Sequence, residues 1–249
     1  SAASRRVPVL ADIRPSGDRY LMEDFYYAGG VPAVMNEMRH VLKLDQITIS
    51  GKTMGEDIEG VPCYDREVIR TWDNPVQPAG SSTVVLRGNI APKGAVLKVS
   101  AASPHLLNHR GPALVFDRNE DYITASDDPD LDVTPDTVLI VRNSGPKGYP
   151  GFPEVGNMPL PKKLLEQGIL DMVRISDARM SGTGFGTCIL HTSPEAAAGG
   201  PLGIVQTGDM VVLDVANRVV KVELSDEEIA ERMARYEPTP AQASRGWEQ

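Results

Sequence analysis

The chain has 249 residues, 41% of them hydrophobic, which is enough for one large or two small domains with a buried core. With 34 acidic against 25 basic side chains its net charge is -9, which argues against nucleic acid or an anionic membrane surface as partner, since both reward clustered Lys and Arg. No apolar run approaches the roughly 18 residues of a membrane helix, no apolar signal core follows Arg5 and Arg6, and the chain reads as cytoplasmic.

From Tyr20 to Leu44 apolar residues recur at three- and four-residue steps, which predicts one or two helices broken at Gly29 and Gly30. Residues 46–82 are punctuated by Pro and Gly and read as a connector, with a short helical stretch over 65–70. From Thr83 the texture changes to short β-rich runs at 83–86, 95–99, 113–116, 137–141, 172–175, 203–205, 210–215 and 219–222. With a helix candidate at 161–167, this spacing predicts a closed or nearly closed β-barrel decorated with helices. Ser225, Asp226, Glu227 and Glu228 form a capping box that opens a last helix through Arg235, stopped by Pro238 and Pro240. The expected divisions are therefore 1–45, 46–82, 83–224 and 225–249, without internal repeats.

The densest chemical signal is Ser176-Asp177-Ala178-Arg179-Met180-Ser181-Gly182-Thr183-Gly184-Phe185-Gly186-Thr187, directly after the apolar run 169–175. Glycine at that density lets backbone N–H groups and hydroxyls approach a small polar ligand, although a plain turn can have the same composition. Upstream stands Gly145-Pro146-Lys147-Gly148-Tyr149-Pro150-Gly151-Phe152-Pro153-Glu154, and downstream His191-Thr192-Ser193-Pro194-Glu195 running on to Gly199-Gly200-Pro201. Cys63 and Cys188 are too few and too far apart for a disulfide framework or a CxxC metal site, and Cys188, beside Ile189 and Leu190, reads as a core residue. His40, His105 and His109 have no metal-ligand spacing.

These segments, with Pro8-Val9-Leu10-Ala11-Asp12-Ile13-Arg14-Pro15-Ser16-Gly17, Met22-Glu23-Asp24-Phe25-Tyr26-Tyr27-Ala28-Gly29-Gly30 and Leu86-Arg87-Gly88-Asn89-Ile90-Ala91-Pro92, resemble the dihydroxy-acid and sugar-acid dehydratases. This iron-sulfur family includes phosphogluconate dehydratase, and the resemblance spans nearly the whole chain. It implies an α/β fold whose C-terminal domain is a swivelling β-barrel of the aconitase type with flanking helices, preceded by the helical end of a truncated N-terminal domain. The resemblance also implies that the cysteines of the iron-sulfur cluster, expected as 2Fe-2S, and most acidic ligands of Mg²⁺ lie in that N-terminal domain. Neither Cys63 nor Cys188 matches a cluster ligand, so this piece is expected to be inactive alone.

By the same resemblance Ser181 is the catalytic base and Glu154 the one Mg²⁺ ligand of the C-terminal part, while Thr183 and Lys147 are candidates for substrate binding. The bland alternatives are a turn-forming serine, a solvated glutamate, a turn-stabilising threonine and a solvated lysine. Asp177 and Arg179 are expected to pair and hold the loop, and His191 reads as structural. The wording from Ser176 to Thr183, with Tyr149 and the segment Asn157-Met158-Pro159, is similar to pentonate dehydratases of the arabinonate and xylonate type. The implied reaction is dehydration of an aldonate to the 2-keto-3-deoxy acid by a homodimer or homotetramer. The alternatives are a dihydroxy-acid dehydratase of branched-chain amino-acid biosynthesis and a noncatalytic β-barrel assembly module.

Overall fold

The structure, a computed structural model, describes residues 5–149, 151–152, 154–182 and 184–240. The chain divides into two compact units, 1–82 and 83–249.

The first unit carries α1 (Met22–Tyr27), α2 (Gly30–Glu37) and the short α3 (Met54–Asp57). The helix break falls at the expected glycines, for a visible reason. Gly29 has φ 115°, and a Cβ there would press on the Pro62 carbonyl and the Ala33 side chain. Phe25 and Ala33 from the helices, and Ala28 just past the end of α1, are buried with Val68 and Ile69 from the stretch read as a connector. Residues 65–70 form a turn where a helix was expected, because Ile69 is taken up in a bridge to Ala11 and is fully buried.

The second unit is a closed barrel of β1 (Thr83–Gly88), β2 (Ala91–Lys98), β3 (Asn108–Phe116), β4 (Val138–Val141), β5 (Arg174–Ser176), β6 (Cys188–Ser193), β7 (Met210–Asp214) and β8 (Val219–Val222), in the order β1-β2-β6-β5-β4-β3-β7-β8. Helices α4 (Asn119–Ser126), α5 (Lys162–Glu166) and α6 (Asp226–Arg235) flank it. All four residues of β4 are buried, with Val138 and Ile140 in the barrel core and Leu139 and Val141 in a second core with Tyr122, Leu164 and Met172. A strand covered on both faces reads as a continuous apolar run, and each such side chain contributes roughly 1.5–3 kcal/mol on burial. β7 alternates between buried and half-buried positions, as an antiparallel strand with one wetter face does.

Three local expectations change. The run 203–205 is not a strand, because Pro201 starts a 3₁₀ turn over Pro201–Ile204. The segment Cys188–Ser193 is a full strand, whose polar second half hides the β pattern. At α6 only half of the capping box forms: the Ser225 hydroxyl accepts from the Glu228 N–H at 3.1 Å, while the Glu228 carboxylate pairs with Arg232 at 2.8 Å.

Candidate functional site

β4, β5 and β6 run parallel side by side, with Val141 opposite Ser176 and Ile175 opposite Ile189. Their carboxyl ends therefore share one end of the barrel, and the three sequence motifs are the segments that leave those ends. In α/β sheets this is where ligands bind, since loops from adjacent strands converge there on a rigid base.

The segments are stitched together through one buried carboxylate. Asp177 Oδ1 accepts from the Ser144 N–H at 2.8 Å, and Oδ2 accepts from Ala196 at 2.9 Å and Asn143 at 3.2 Å. Burial pushes the Asp177 carboxyl above its ordinary range, against those three N–H groups, and the charge of Glu195 adds to the rise. Glu195 in turn accepts from the Lys147 N–H at 3.0 Å and the Gly148 N–H at 3.3 Å. The Gly-Pro-Lys-Gly turn is thus held by its backbone, and the Lys147 side chain is exposed.

Ser181 is buried, at 8% exposure, and its carbonyl accepts from the Gly184 N–H at 3.2 Å. Glu154 is 42% exposed in its side chain and pairs with Arg179 at 2.9 Å, while Arg179 Nε donates to the Phe152 carbonyl at 2.7 Å. Asp177 and Arg179 both hold the loop, but not through each other: Asp177 faces inward to backbone N–H groups and Arg179 outward to the Glu154 segment. The structure thereby links the segments of Ser181, Glu154 and Lys147. Thr183 lies outside the described residues.

Two contributors escaped the sequence reading. Lys98, the last residue of β2, donates from Nζ to the Gly182 carbonyl at 2.7 Å, and burial lowers its ammonium from the ordinary value. Its signal is a lone charge closing the apolar run 95–97. The other is the buried pair Asp171 and Arg174, 3.0 Å apart, with Arg174 also donating to the carbonyls of Met158 and Phe185. A Cβ at Gly186 would overlap both side chains, so the loop can pass over the pair only as glycine.

Beside the Ser181 loop lies an open cavity of about 510 Å³, lined by Pro146, Phe152, Asp177, His191, Thr192 and Glu195 among others. The buried Oγ of Ser144 and Oγ1 of Thr192 make no hydrogen bond among the described residues.

The residues present do not by themselves fit a complete metal centre: among the described residues no group of three His, Cys, Asp or Glu could hold an ion. Glu154 can offer one carboxylate. Cys63 and Cys188 lie in different units, and burial pushes the Cys188 thiol up to about 11, which does not suit a thiolate ligand. No described helix is long and apolar enough to cross a membrane.

Residues 67–249 match the dihydroxy-acid/6-phosphogluconate dehydratase C-terminal domain family and residues 1–57 its N-terminal counterpart, so the chain belongs to this dehydratase family. It is 52% identical to an L-arabinonate dehydratase of Rhizobium leguminosarum bv. trifolii, over 94% of this chain and 40% of that protein. It is 50% identical to a 6-deoxy-6-sulfo-D-gluconate dehydratase of Pseudomonas putida, over 96% of this chain and 41% of that protein. Against a dihydroxy-acid dehydratase of Acetivibrio thermocellus the identity is 41%, over 98% of this chain and 44% of that protein. The chain thus spans about two fifths of the length of these curated relatives.

Proposed function

We propose that this chain is the C-terminal part of a hydro-lyase that dehydrates a sugar acid, an aldonate, to the 2-keto-3-deoxy acid. Placement of Ser181 carries the reading: a buried serine on a glycine-rich segment, held at the carboxyl ends of parallel strands and tied to the Glu154 segment through Arg179. The higher identity to two sugar-acid dehydratases than to a dihydroxy-acid dehydratase supports the substrate class.

In the proposed reaction Ser181, as its alkoxide, takes the C2 proton while the C3–O bond breaks, and the departing hydroxide leaves as water with that proton, which regenerates the alkoxide. The resulting C2=C3 enol gains a proton at C3 and loses its C2 O–H proton to solvent, which gives the 2-keto-3-deoxy acid. Ser181 positions its oxygen at C2, and Lys147, with Thr183, binds the anionic or hydroxylated parts of the substrate. Glu154 would supply one ligand to Mg²⁺, and that ion, together with a 2Fe-2S cluster held by the part of the N-terminal domain that lies outside this chain, would lend positive charge and Lewis acidity. The assembled enzyme is read as a cytoplasmic homodimer or homotetramer.

The test is turnover by the full-length protein of a panel of aldonates and of a branched 2,3-dihydroxy acid, followed by formation of the 2-keto acid. Preference for an aldonate is expected, and preference for the branched acid would move the enzyme to amino-acid biosynthesis. Ser181→Ala should abolish exchange of the C2 proton with solvent deuterium while substrate still binds, because a base acts only during chemistry. Glu154→Gln should weaken Mg²⁺ in a metal titration with folding unchanged.

A further inference from the structure

We infer that Ser181 is set in place by a two-sided clamp from neighbouring strands: His191 of β6 holds the residue before it through the Met180 N–H, and Lys98 of β2 holds the residue after it through the Gly182 carbonyl. The inference rests on the reading of Ser181 as the base and adds two positioning residues to it.

The Met180 N–H donates to His191 Nε2 at 2.9 Å, and the His191 N–H donates to the Ala178 carbonyl at 2.9 Å, so one residue grips the loop twice. A backbone N–H can only donate, so the ring must present a bare Nε2 and be neutral, with its proton on Nδ1. The surroundings favour that state: burial lowers His191 from its ordinary value, and the charge of Arg179 acts in the same direction. Phe152 stacks edge-on against the ring at 6.0 Å and fixes its plane, while its carbonyl accepts from Arg179. His191 also has φ 54°, a left-handed conformation that costs a non-glycine residue about 1–3 kcal/mol and persists only where the surroundings over-determine it.

On the other side, Lys98 Nζ reaches the Gly182 carbonyl at 2.7 Å. β2 and β6 are paired, with Leu97 opposite Ile189 and Val96 opposite Leu190, so both arms of the clamp stand on one rigid ladder. Loops with this much glycine have many backbone states, and a proton-abstracting oxygen must be fixed to within about an ångström, at a cost near 100-fold in rate when it is not. Fixing the residues on both sides sets the Cα of Ser181, and with it the direction in which its side chain leaves the loop.

The test uses the full-length protein with His191→Leu, His191→Gln, Lys98→Met and Lys98→Arg. Glutamine can return an acceptor to the Nε2 position and leucine cannot. In His191→Leu, kcat should fall about 100-fold with KM little changed, and glutamine should restore at least about ten-fold of that loss. Lys98→Met should lower kcat in the same manner, with partial rescue by arginine. Hydrogen exchange by mass spectrometry reads the grip without any turnover: a peptide covering 178–182 should lose its protected amide in the leucine variant and keep it in the glutamine variant. Equal loss of rate in leucine and glutamine variants, or unchanged exchange of that peptide in the leucine variant, would overturn the clamp. A Ser181→Ala variant that keeps the parent rate while the exchange result holds would instead sink the assignment of Ser181 and leave the clamp standing.

Discussion

Asp171 and Asp177 stand at the two ends of β5, both buried, and the protein treats them in opposite ways. At the entry end Asp171 has a buried cation, Arg174, and accepts from the Thr187 hydroxyl at 2.7 Å and from the Ser103 N–H at 3.1 Å. Burial alone would raise this carboxyl, but hydrogen bonds from Thr187 and Ser103 and the charge of Arg174 outweigh it and hold it below the ordinary range. At the exit end Asp177 is given only backbone N–H groups and the like charge of Glu195, and burial wins. The entry end is a neutralised, closed structure. The exit end accepts an electrostatic cost to gather segments from β4, β5 and β6 around the position where chemistry is proposed.

The largest expected effect tests the closed end. Asp171→Asn leaves Arg174 buried without its counter-charge, and breaking such a pair from one side costs about 3–5 kcal/mol. Chemical denaturation of the variant against the parent checks it, and a loss under about 1 kcal/mol would mean that the pair is not closed in solution.

Asp177→Asn should cost less, about 1–3 kcal/mol, since the amide keeps one acceptor oxygen and removes a charge that had no cation. Its effect on turnover in the full-length enzyme should exceed its effect on stability, because the three segments it joins carry the proposed site. If Asp177→Asn destabilises as much as Asp171→Asn, the contrast between the two ends fails.

The pH dependence sharpens the same contrast, with signs that differ. Asp171 is lowered from 3.8, so its contribution is fully present above the unfolded value and is lost as pH falls through its folded value. Asp177 is raised from 3.8, so the folded protein holds the proton longer than the unfolded chain, and stability declines as pH rises from 3.8 through the folded value. Each group contributes at most about 1.4 kcal/mol per pH unit within its window. Stability measured against pH should lose its acid-side fall in Asp171→Asn and its opposing slope above pH 3.8 in Asp177→Asn.

How far the sequence could reveal these features depends on which interactions are local. β4 was legible because both its faces are buried, and α6 because Ser225 caps it through a hydroxyl three residues away. The helix α4 was not foreseen, since Asn119–Ser126 buries little besides Tyr122 and shows scant apolar periodicity. In the site, the motif residues Ser181, Glu154 and Lys147 could be picked out by resemblance, but their holders could not. Asp171 meets Thr187, Lys98 meets Gly182 and Glu195 meets Lys147 across 16 to 84 residues of chain, and no local pattern encodes such pairings. The expectation that Asp177 pairs with Arg179 failed for a related reason. Residues two apart would share a face on a continuing strand, but β5 ends at Ser176, and each found a distant partner: Asp177 the N–H groups of Asn143, Ser144 and Ala196, Arg179 the Glu154 carboxylate.

The smallest expected effect is one that should be close to zero. Cys188 opens β6 opposite Arg174, is buried, and has its thiol pushed up to about 11 by burial. Alkylation proceeds through the thiolate, so at pH 8 both the low thiolate fraction and the lack of access should keep Cys188 unmodified by iodoacetamide in the folded protein. Cys63, only half-buried, should react first, and mass spectrometry of the digested protein separates the two sites. Asp171→Asn should then open the closed end and speed labelling of Cys188. If Cys188 in the parent is alkylated as fast as Cys63, the entry end of β5 opens readily, and the division between a closed base and a working exit end loses its physical ground.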